Sequence, residues 1–405
     1  MTTPQIALSP RHIRILLALI LGLFPLVGMT VDLIAPSLPA ISSGLQMTKP
    51  MTKNMISLYL YGYGMGSFIF GFLSDAWGRR KILLGGLGAF IVISLLPVCF
   101  AYPSVMLSTR FLQGFSLACF SVNARPIASD ILPPKQARSF FVFVATMWGI
   151  GPIIGPWIGG YLQVYFGWKA GFVFFASYAA ISLTLLLIFL PETHLHRHPF
   201  RLQKISQDFR MMIQHKKFIG AILAMSFSYS LLIVFNIMGP FLFQIGFGYS
   251  PIAFGHVALW MGISFLLGTF LCRALIQYEQ EKLIYHLGLP LSLGLALLGI
   301  ILAYVIDGSA HIALIISLSL FLCCGFFNPA ITGLGMTLFP QQVGSSSAIM
   351  YFINLMITST VAWSVSFISS TQVLYLMYVY FALMLSCVLA YFCLISPARW
   401  SKRSD

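Results

Sequence analysis

Twelve apolar stretches dominate this sequence of 405 residues, and each is close to the roughly 20 residues that a helix needs to cross a bilayer. Lipid offers the backbone no hydrogen-bond partners, so a crossing segment must satisfy its own, as a helix does. The sequence therefore predicts an all-α membrane protein with twelve transmembrane helices, whose even number places both termini on one side. The stretches run at about 15–36, 54–73, 82–101, 104–132, 139–165, 168–190, 218–245, 252–275, 284–305, 311–338, 345–369 and 372–395.

The composition excludes other classes of protein. Hydrophobic residues make up 59% of the chain and charged residues 8%, whereas a typical soluble domain has about 25% charged residues. A soluble enzyme is excluded, because even large soluble domains bury only about three quarters of their surface. The net charge of +14 comes from Lys and Arg in short gaps between apolar stretches, so no nucleic-acid partner is expected. The seven cysteines lack the spacing of metal ligands, so neither a metal nor another cofactor is expected.

The positions of Lys and Arg predict the orientation. With a cytoplasmic N-terminus, eighteen of these 23 residues lie on the cytoplasmic side and two, Arg110 and Arg125, lie within a span. Because cytoplasmic loops carry the excess of Lys and Arg, both termini are predicted to be cytoplasmic. The three residues assigned to the outside are Lys49, Lys53 and Lys169.

The longest polar gap divides the chain nearly in half, with six spans on either side. Two six-helix halves joined by a loop are typical of transporters built from repeats. The predicted parts are a cytoplasmic tail (1–13), an N-terminal half (14–190), a cytoplasmic central loop (191–217), a C-terminal half (218–395) and a second cytoplasmic tail (396–405).

The gap between spans 2 and 3 contains two glycines, one acid and three cations, in the order Gly71-x3-Asp75-x2-Gly78-Arg79-Arg80-Lys81. The glycines are interpreted as allowing a tight turn between helices. This string resembles the loop signature of the major facilitator superfamily, G-x-x-x-D-x-x-G-R-(R/K). The resemblance implies the fold of that family and a cytoplasmic latch that holds the outward-open state. The latch residues would be Gly71, Asp75, Gly78, Arg79 and Arg80. A less complete copy of the motif lies between spans 8 and 9, around Arg273, Glu279, Glu281 and Lys282.

Span 5 contains glycines four residues apart, which leave one helix face without side chains, so that another helix can approach closely. Two prolines in the same segment each remove a backbone donor. The segment is similar to the antiporter motif of the twelve-helix drug:proton antiporters. The resemblance implies that this helix packs at the interface between the halves and suppresses leak. The motif residues are Gly151, Pro152, Gly155, Pro156, Gly159 and Gly160.

Few charges lie inside the spans, and a charge at the centre of a bilayer costs about 2.5–3.5 kcal/mol, so each is a candidate for function. Asp32 in span 1 and Arg110 in span 4 are predicted roughly 6–10 Å below the outer surface, where they interact if their helices are neighbours. The strings Asp32–Pro39 and Arg110–Gly114 resemble motifs of the Bcr/CflA drug-efflux group and of proton-coupled family members. The segment that begins at Arg125 departs from the pattern of that group, so Arg125 is given no role.

These residues suggest a mechanism in which Asp32 carries the proton and Arg110 is its partner. The alternative is that Asp32 is a fixed salt-bridge partner near the headgroups. Aromatic and amide side chains in the spans suit lipophilic or amphiphilic molecules. The candidate cavity residues are Tyr59, Gln113, Asn236 and Asn328.

The sequence therefore predicts a monomeric, proton-coupled antiporter in a bacterial inner membrane. Its partners would be protons, lipid and a drug-like or other small amphiphilic substrate, which it exports by alternating access. The nearest alternative is a proton-coupled symporter or a uniporter for a small nutrient or metabolite. An enzyme is not expected, because the spans contain no clustered metal ligands or nucleophile motif. The sequence also lacks the G-x-x-x-x-G-K-[ST] string of nucleotide-driven pumps.

Overall fold

The structure, a computed structural model, describes residues 9–193, 202–278, 281–306, 308–340 and 342–395. All regular secondary structure in these ranges is helical, which confirms the predicted fold class. The helices are α1 (Pro10–Asp32), α2 (Leu38–Gly44), α3 (Lys49–Trp77), α4 (Arg79–Cys99), α5 (Pro103–Ile131), α6 (Pro134–Phe166), α7 (Lys169–Phe189), α8 (Leu202–Ile213), α9 (Lys216–Pro240), α10 (Pro251–Gln277), α11 (Glu281–Val305), α12 (Ala310–Thr337), α13 (Val343–Ser366) and α14 (Val373–Ala390).

Eleven segments among the described residues are long and apolar enough to cross a membrane. The twelfth long helix is α3, whose 29 residues rise about 43 Å, more than the roughly 30 Å of a hydrocarbon core. Large apolar side chains such as Val92, Ile181 and Leu267 are more than half exposed, at 63%, 64% and 52%. Such exposure is unfavourable in water and favourable in lipid, so the chain is a multi-pass membrane protein.

The first span is longer than the sequence predicts. It continues from α1 through a short 3-10 turn, Ala35–Ser37, into α2 and ends at Gly44 instead of near residue 36. The prediction was wrong because Pro36 and Pro39 were expected to end the helix. Each lies in the first turn of a new helical segment, where the missing N–H of proline has no cost.

The second span begins five residues earlier than predicted. Thr48 caps α3 by accepting a hydrogen bond from the backbone N–H of Met51, and Pro50 lies in the first turn. Lys53, which the sequence assigns to the outside, lies in the second turn of α3 and is only 1% exposed. Lys49 is also a helical residue, but its side chain is exposed.

The chain forms two compact units, the first within residues 1–201 and 250–256 and the second within residues 202–249 and 257–405. In the first unit, α5 packs against both α3 and α4, and α1 packs against α6 and α7. In the second unit, α9 is largely buried among α12, α13 and α14. The predicted tails lie outside the described residues except for residues 9–13, and so does Glu279 of the latch counterpart.

Candidate functional site

Asp32 lies at a break in the first span. It is the last residue of α1, its side chain is buried with 4% exposure, and the chain continues through the 3-10 turn before α2 begins. Gly44 follows Asp32 by twelve positions, so the carboxyl group lies about 18 Å of helix rise from the end of the span. The sequence places it only four to seven residues from that end, because the segment after the prolines was not recognised as helical.

Arg110 on α5 is the largest fully buried side chain in the described structure, with 0% exposure. Its Nη2 donates to the carbonyl oxygen of Thr30 at 2.9 Å, its Nε to that of Met55 at 3.3 Å, and its Nη1 to Oε1 of Gln113 at 2.8 Å. A buried guanidinium is tolerated only when its donors are satisfied, and these contacts satisfy several of them. Arg110 thereby connects α5 to α1 and α3.

The structure brings Asp32 and Arg110 together. Thr30, which accepts the hydrogen bond from Arg110, lies two residues before Asp32 on α1, and the two charged groups interact electrostatically. An acid and a guanidinium are therefore buried near one another inside the first unit. Moving two such groups out of water costs free energy. We therefore expect the protein to keep them because they contribute to its stability or its function.

Tyr59 and Gln113, two predicted cavity residues, surround Arg110. The guanidinium lies 4.7 Å from the centre of the Tyr59 ring, and both side chains are at most 1% exposed. Gln113 also donates from Nε2 to Oγ of Ser94 on α4 at 2.8 Å. Residues of four helices, α1, α3, α4 and α5, thus hold Arg110 in place directly or through Gln113. The sequence does not reveal this arrangement, because two of the acceptors are backbone carbonyls and Ser94 lies in an apolar stretch.

The other two predicted cavity residues lie in the second unit. Asn328 on α12 is half-buried, donates from Nδ2 to Oγ of Ser228 on α9, and accepts a hydrogen bond from the Thr332 hydroxyl at 3.4 Å. Asn236 on α9 is half-buried as well. Both residues therefore keep part of their surface exposed.

The predicted latch residues mark the turn between α3 and α4. Gly78 ends α3 with a φ of 100°, a conformation that favours glycine. Gly71 lies inside α3, with no heavy atom within 4 Å of where its Cβ would be, so its assignment to the turn was wrong. The side chain of Asp75 lies outside the described residues.

Two acids that the sequence does not assign to the latch contact Arg79. Arg79 forms an ion pair with Asp130 at the end of α5, and Oε1 of Glu192 accepts a hydrogen bond from the Arg79 backbone N–H at 3.1 Å. Glu192 thus stabilises the N-terminus of α4, where negative charge is favourable. Arg80 donates to the carbonyl oxygen of Leu187 at 3.0 Å. Arg125, five residues before Asp130, is exposed.

The antiporter-like glycines lie in α6, which remains helical through both prolines. An added Cβ would lie 2.5 Å from the carbonyl oxygen of Pro25 at Gly151 and 2.0 Å from that of Leu33 at Gly159. This glycine face therefore packs directly on α1 within the same unit. Gly160 approaches the backbone of Pro251, at the start of α10, where a Cβ would lie 2.6 Å from the carbonyl oxygen.

In comparisons with known proteins, this chain is similar to membrane transporters. The family model described as the Major Facilitator Superfamily matches residues 20–362. The chain is 26% identical over 254 residues to a bicyclomycin resistance protein homolog of Haemophilus influenzae, covering 62% of this chain and 63% of that protein. It is 25% identical over 329 residues, 80% of either chain, to the multidrug transporter MdfA of Escherichia coli O6:H1. The crystal structure of a D-xylose–proton symporter superposes with a TM-score of 0.76 at 15% identity, covering 95% of this chain and 98% of that one.

Proposed function

This chain belongs to the major facilitator superfamily of membrane transporters, and we propose that it exports drug-like or other small amphiphilic molecules in exchange for protons. Two relatives are named for bicyclomycin resistance and for multidrug transport, which favours export of such molecules. We place the protein in a bacterial inner membrane, acting as a monomer by alternating access, with both termini in the cytoplasm as the distribution of Lys and Arg predicts.

The observation that carries the proposal is the buried pair of Asp32 and Arg110. As a carboxylate, Asp32 compensates the guanidinium charge; once protonated, it no longer does. Proton binding therefore changes the charge of the site by one unit and alters the balance of its interactions. In the proposed cycle a proton from outside adds to Asp32, the protein changes state, and the proton leaves on the cytoplasmic side while substrate moves outward.

Three further observations support this cycle. Arg79, Asp130 and Glu192 form the proposed cytoplasmic latch, whose ion pair and helix cap would hold one state of the transporter. Asn328, held by Ser228, and Asn236 are the proposed polar contacts for substrate in the second unit. The tight packing of the glycine face of α6 on α1 leaves little space beside Asp32, which supports the proposed suppression of leak.

Transport in everted membrane vesicles tests the proposal. An imposed proton gradient should drive accumulation of at least one member of a panel of lipophilic cations, neutral drugs and acids. Asp32→Asn should abolish the gradient-driven part, because the amide cannot exchange the proton. Asp208→Asn, the same substitution in the short helix α8 outside the spans, is the matched control and should transport normally.

The outcomes distinguish the alternatives. Proton-driven accumulation that survives Asp32→Asn would remove Asp32 from coupling and leave it as a fixed ion-pair partner. Substrate that moves in the same direction as the protons, and not against them, would indicate a symporter. Equilibration of substrate without any response to the gradient would indicate a uniporter.

A further inference from the structure

A groove runs along the outside of the first unit. Helices α3 and α4 each pack extensively on α5 but contact one another much less. The space between them, over the surface of α5, is a mostly apolar cavity of about 630 Å³. Phe115 of α5 forms the floor, and Trp77 of α3 lies at the end where α3 and α4 meet. The cavity has the volume of a typical small-molecule site.

The sequence of α4 explains the shape of the groove. At Gly86 an added Cβ would lie 2.4 Å from the Cβ of Cys119, so this glycine lets α4 rest directly on α5. At Gly85, by contrast, there is no heavy atom within 4 Å of an added Cβ, and this residue lines the open groove. Ala89, one turn further along α4, also lines the groove, and its small side chain leaves the groove open.

One end of the groove is charged and the rest is mostly apolar. Lys81 lines the end at the α3–α4 turn and is exposed, and Trp77 beside it is 60% exposed, as is typical of a residue at the headgroup level. From Lys81 to Ile93, at the far end, α4 rises about 18 Å. This length is close to one leaflet, half of a hydrocarbon core about 30 Å thick.

We propose that this groove binds a single anionic phospholipid of the inner leaflet, with one acyl chain lying over Phe115 and the phosphate held by Lys81. The apolar wall matches an acyl chain in length, and the cation lies where the headgroup would be. Anionic lipids are attracted to cytoplasmic Lys and Arg, and each contact with such a residue strengthens binding about fivefold. The assignment to the inner leaflet rests on the proposed orientation, whereas binding itself does not depend on the proposed transport activity.

Native mass spectrometry of the purified full-length protein, titrated with dioleoyl phosphatidylglycerol or dioleoyl phosphatidylcholine, tests this site. The first phosphatidylglycerol should bind about fivefold more tightly than phosphatidylcholine. Lys81→Gln should remove that preference while leaving phosphatidylcholine binding unchanged. Gly85→Leu should weaken both lipids more than tenfold, because it displaces at least two methylenes and each contributes about fourfold to affinity.

Two matched variants serve as controls. Gly88→Leu makes the same change on α4 at a position with equally open space that does not line the groove. Lys216→Gln removes an exposed lysine at the start of α9. Both should bind lipid as the unchanged protein does. Equal weakening by Gly88→Leu and Gly85→Leu, or a phosphatidylglycerol preference that survives Lys81→Gln, would show only non-specific annular lipid and overturn the proposal.

Discussion

The contact between α6 and α1 at Gly159 allows a quantitative test. Replacing Gly159 with Ala places a Cβ 2.0 Å from the carbonyl oxygen of Leu33, whereas ordinary contact begins at 3.4 Å. The two helices must therefore separate locally by about 1.4 Å, and no side-chain rotation can relieve a clash with a backbone atom. Leu33 follows Asp32 directly, so the displaced segment is the one that carries the proposed proton carrier.

Overpacking of this kind typically costs about 1–3 kcal/mol, and we expect the upper part of that range because both partners are backbone. Gly149→Ala is the matched control on the same helix, since no heavy atom lies within 4 Å of its added Cβ. Alanine has a higher helix propensity than glycine by up to about 1 kcal/mol, so Gly149→Ala should leave stability unchanged or raise it.

The assay is unfolding by sodium dodecyl sulfate in mixed micelles, followed by far-ultraviolet circular dichroism, together with proton-driven transport in vesicles. Gly159→Ala should unfold at a lower detergent fraction and lose transport rate, whereas Gly149→Ala should do neither. If Gly159→Ala proves as stable and as active as Gly149→Ala, the close packing of α6 on α1 is not a feature of the protein in the membrane.

Three further predictions follow from the contacts. Arg110→Met should destabilise the protein by about 3–5 kcal/mol in the same assay, because it leaves buried acceptors without a donor, and Arg110→Lys should restore only part of this loss because an ammonium lacks the planar fork. A double-mutant cycle with Arg79→Met and Asp130→Asn should give a coupling energy of about 0.5–3 kcal/mol; additive effects would show that the ion pair is not formed. Gly78→Ala should destabilise more than Gly167→Ala: both have positive φ, but only at Gly78 would the Cβ meet Glu192, at 2.6 Å, and equal losses would argue against that contact.

Much of the architecture could be predicted from local sequence. The bounds of most spans agree with the helices within a few residues, because hydrophobic length is a property of each segment by itself. The boundaries near Pro36 and Lys53 were wrong because proline and lysine occur both in the first turns of helices and in loops. Local composition alone does not distinguish these cases.

The candidate site was only partly predictable, for a different reason. Asp32 and Arg110 stand out because a charge within an apolar stretch is costly, and that cost can be read from one sequence. The partners of Arg110 do not stand out. Thr30 and Met55 accept its hydrogen bonds through backbone carbonyls, which every residue has, and Ser94 is linked to Arg110 through Gln113, from which it accepts a hydrogen bond.

The sequence by itself determined that the chain lies in a membrane as a bundle of long helices, and it identified the charges within that bundle, because partition between water and lipid acts on each segment independently. Only the tertiary structure decided that Arg110 is held by four helices, that Asp130 and Glu192 join Arg79, and that the glycines of α6 pack on α1. These contacts depend on which helices become neighbours, and that is decided by packing over the whole unit.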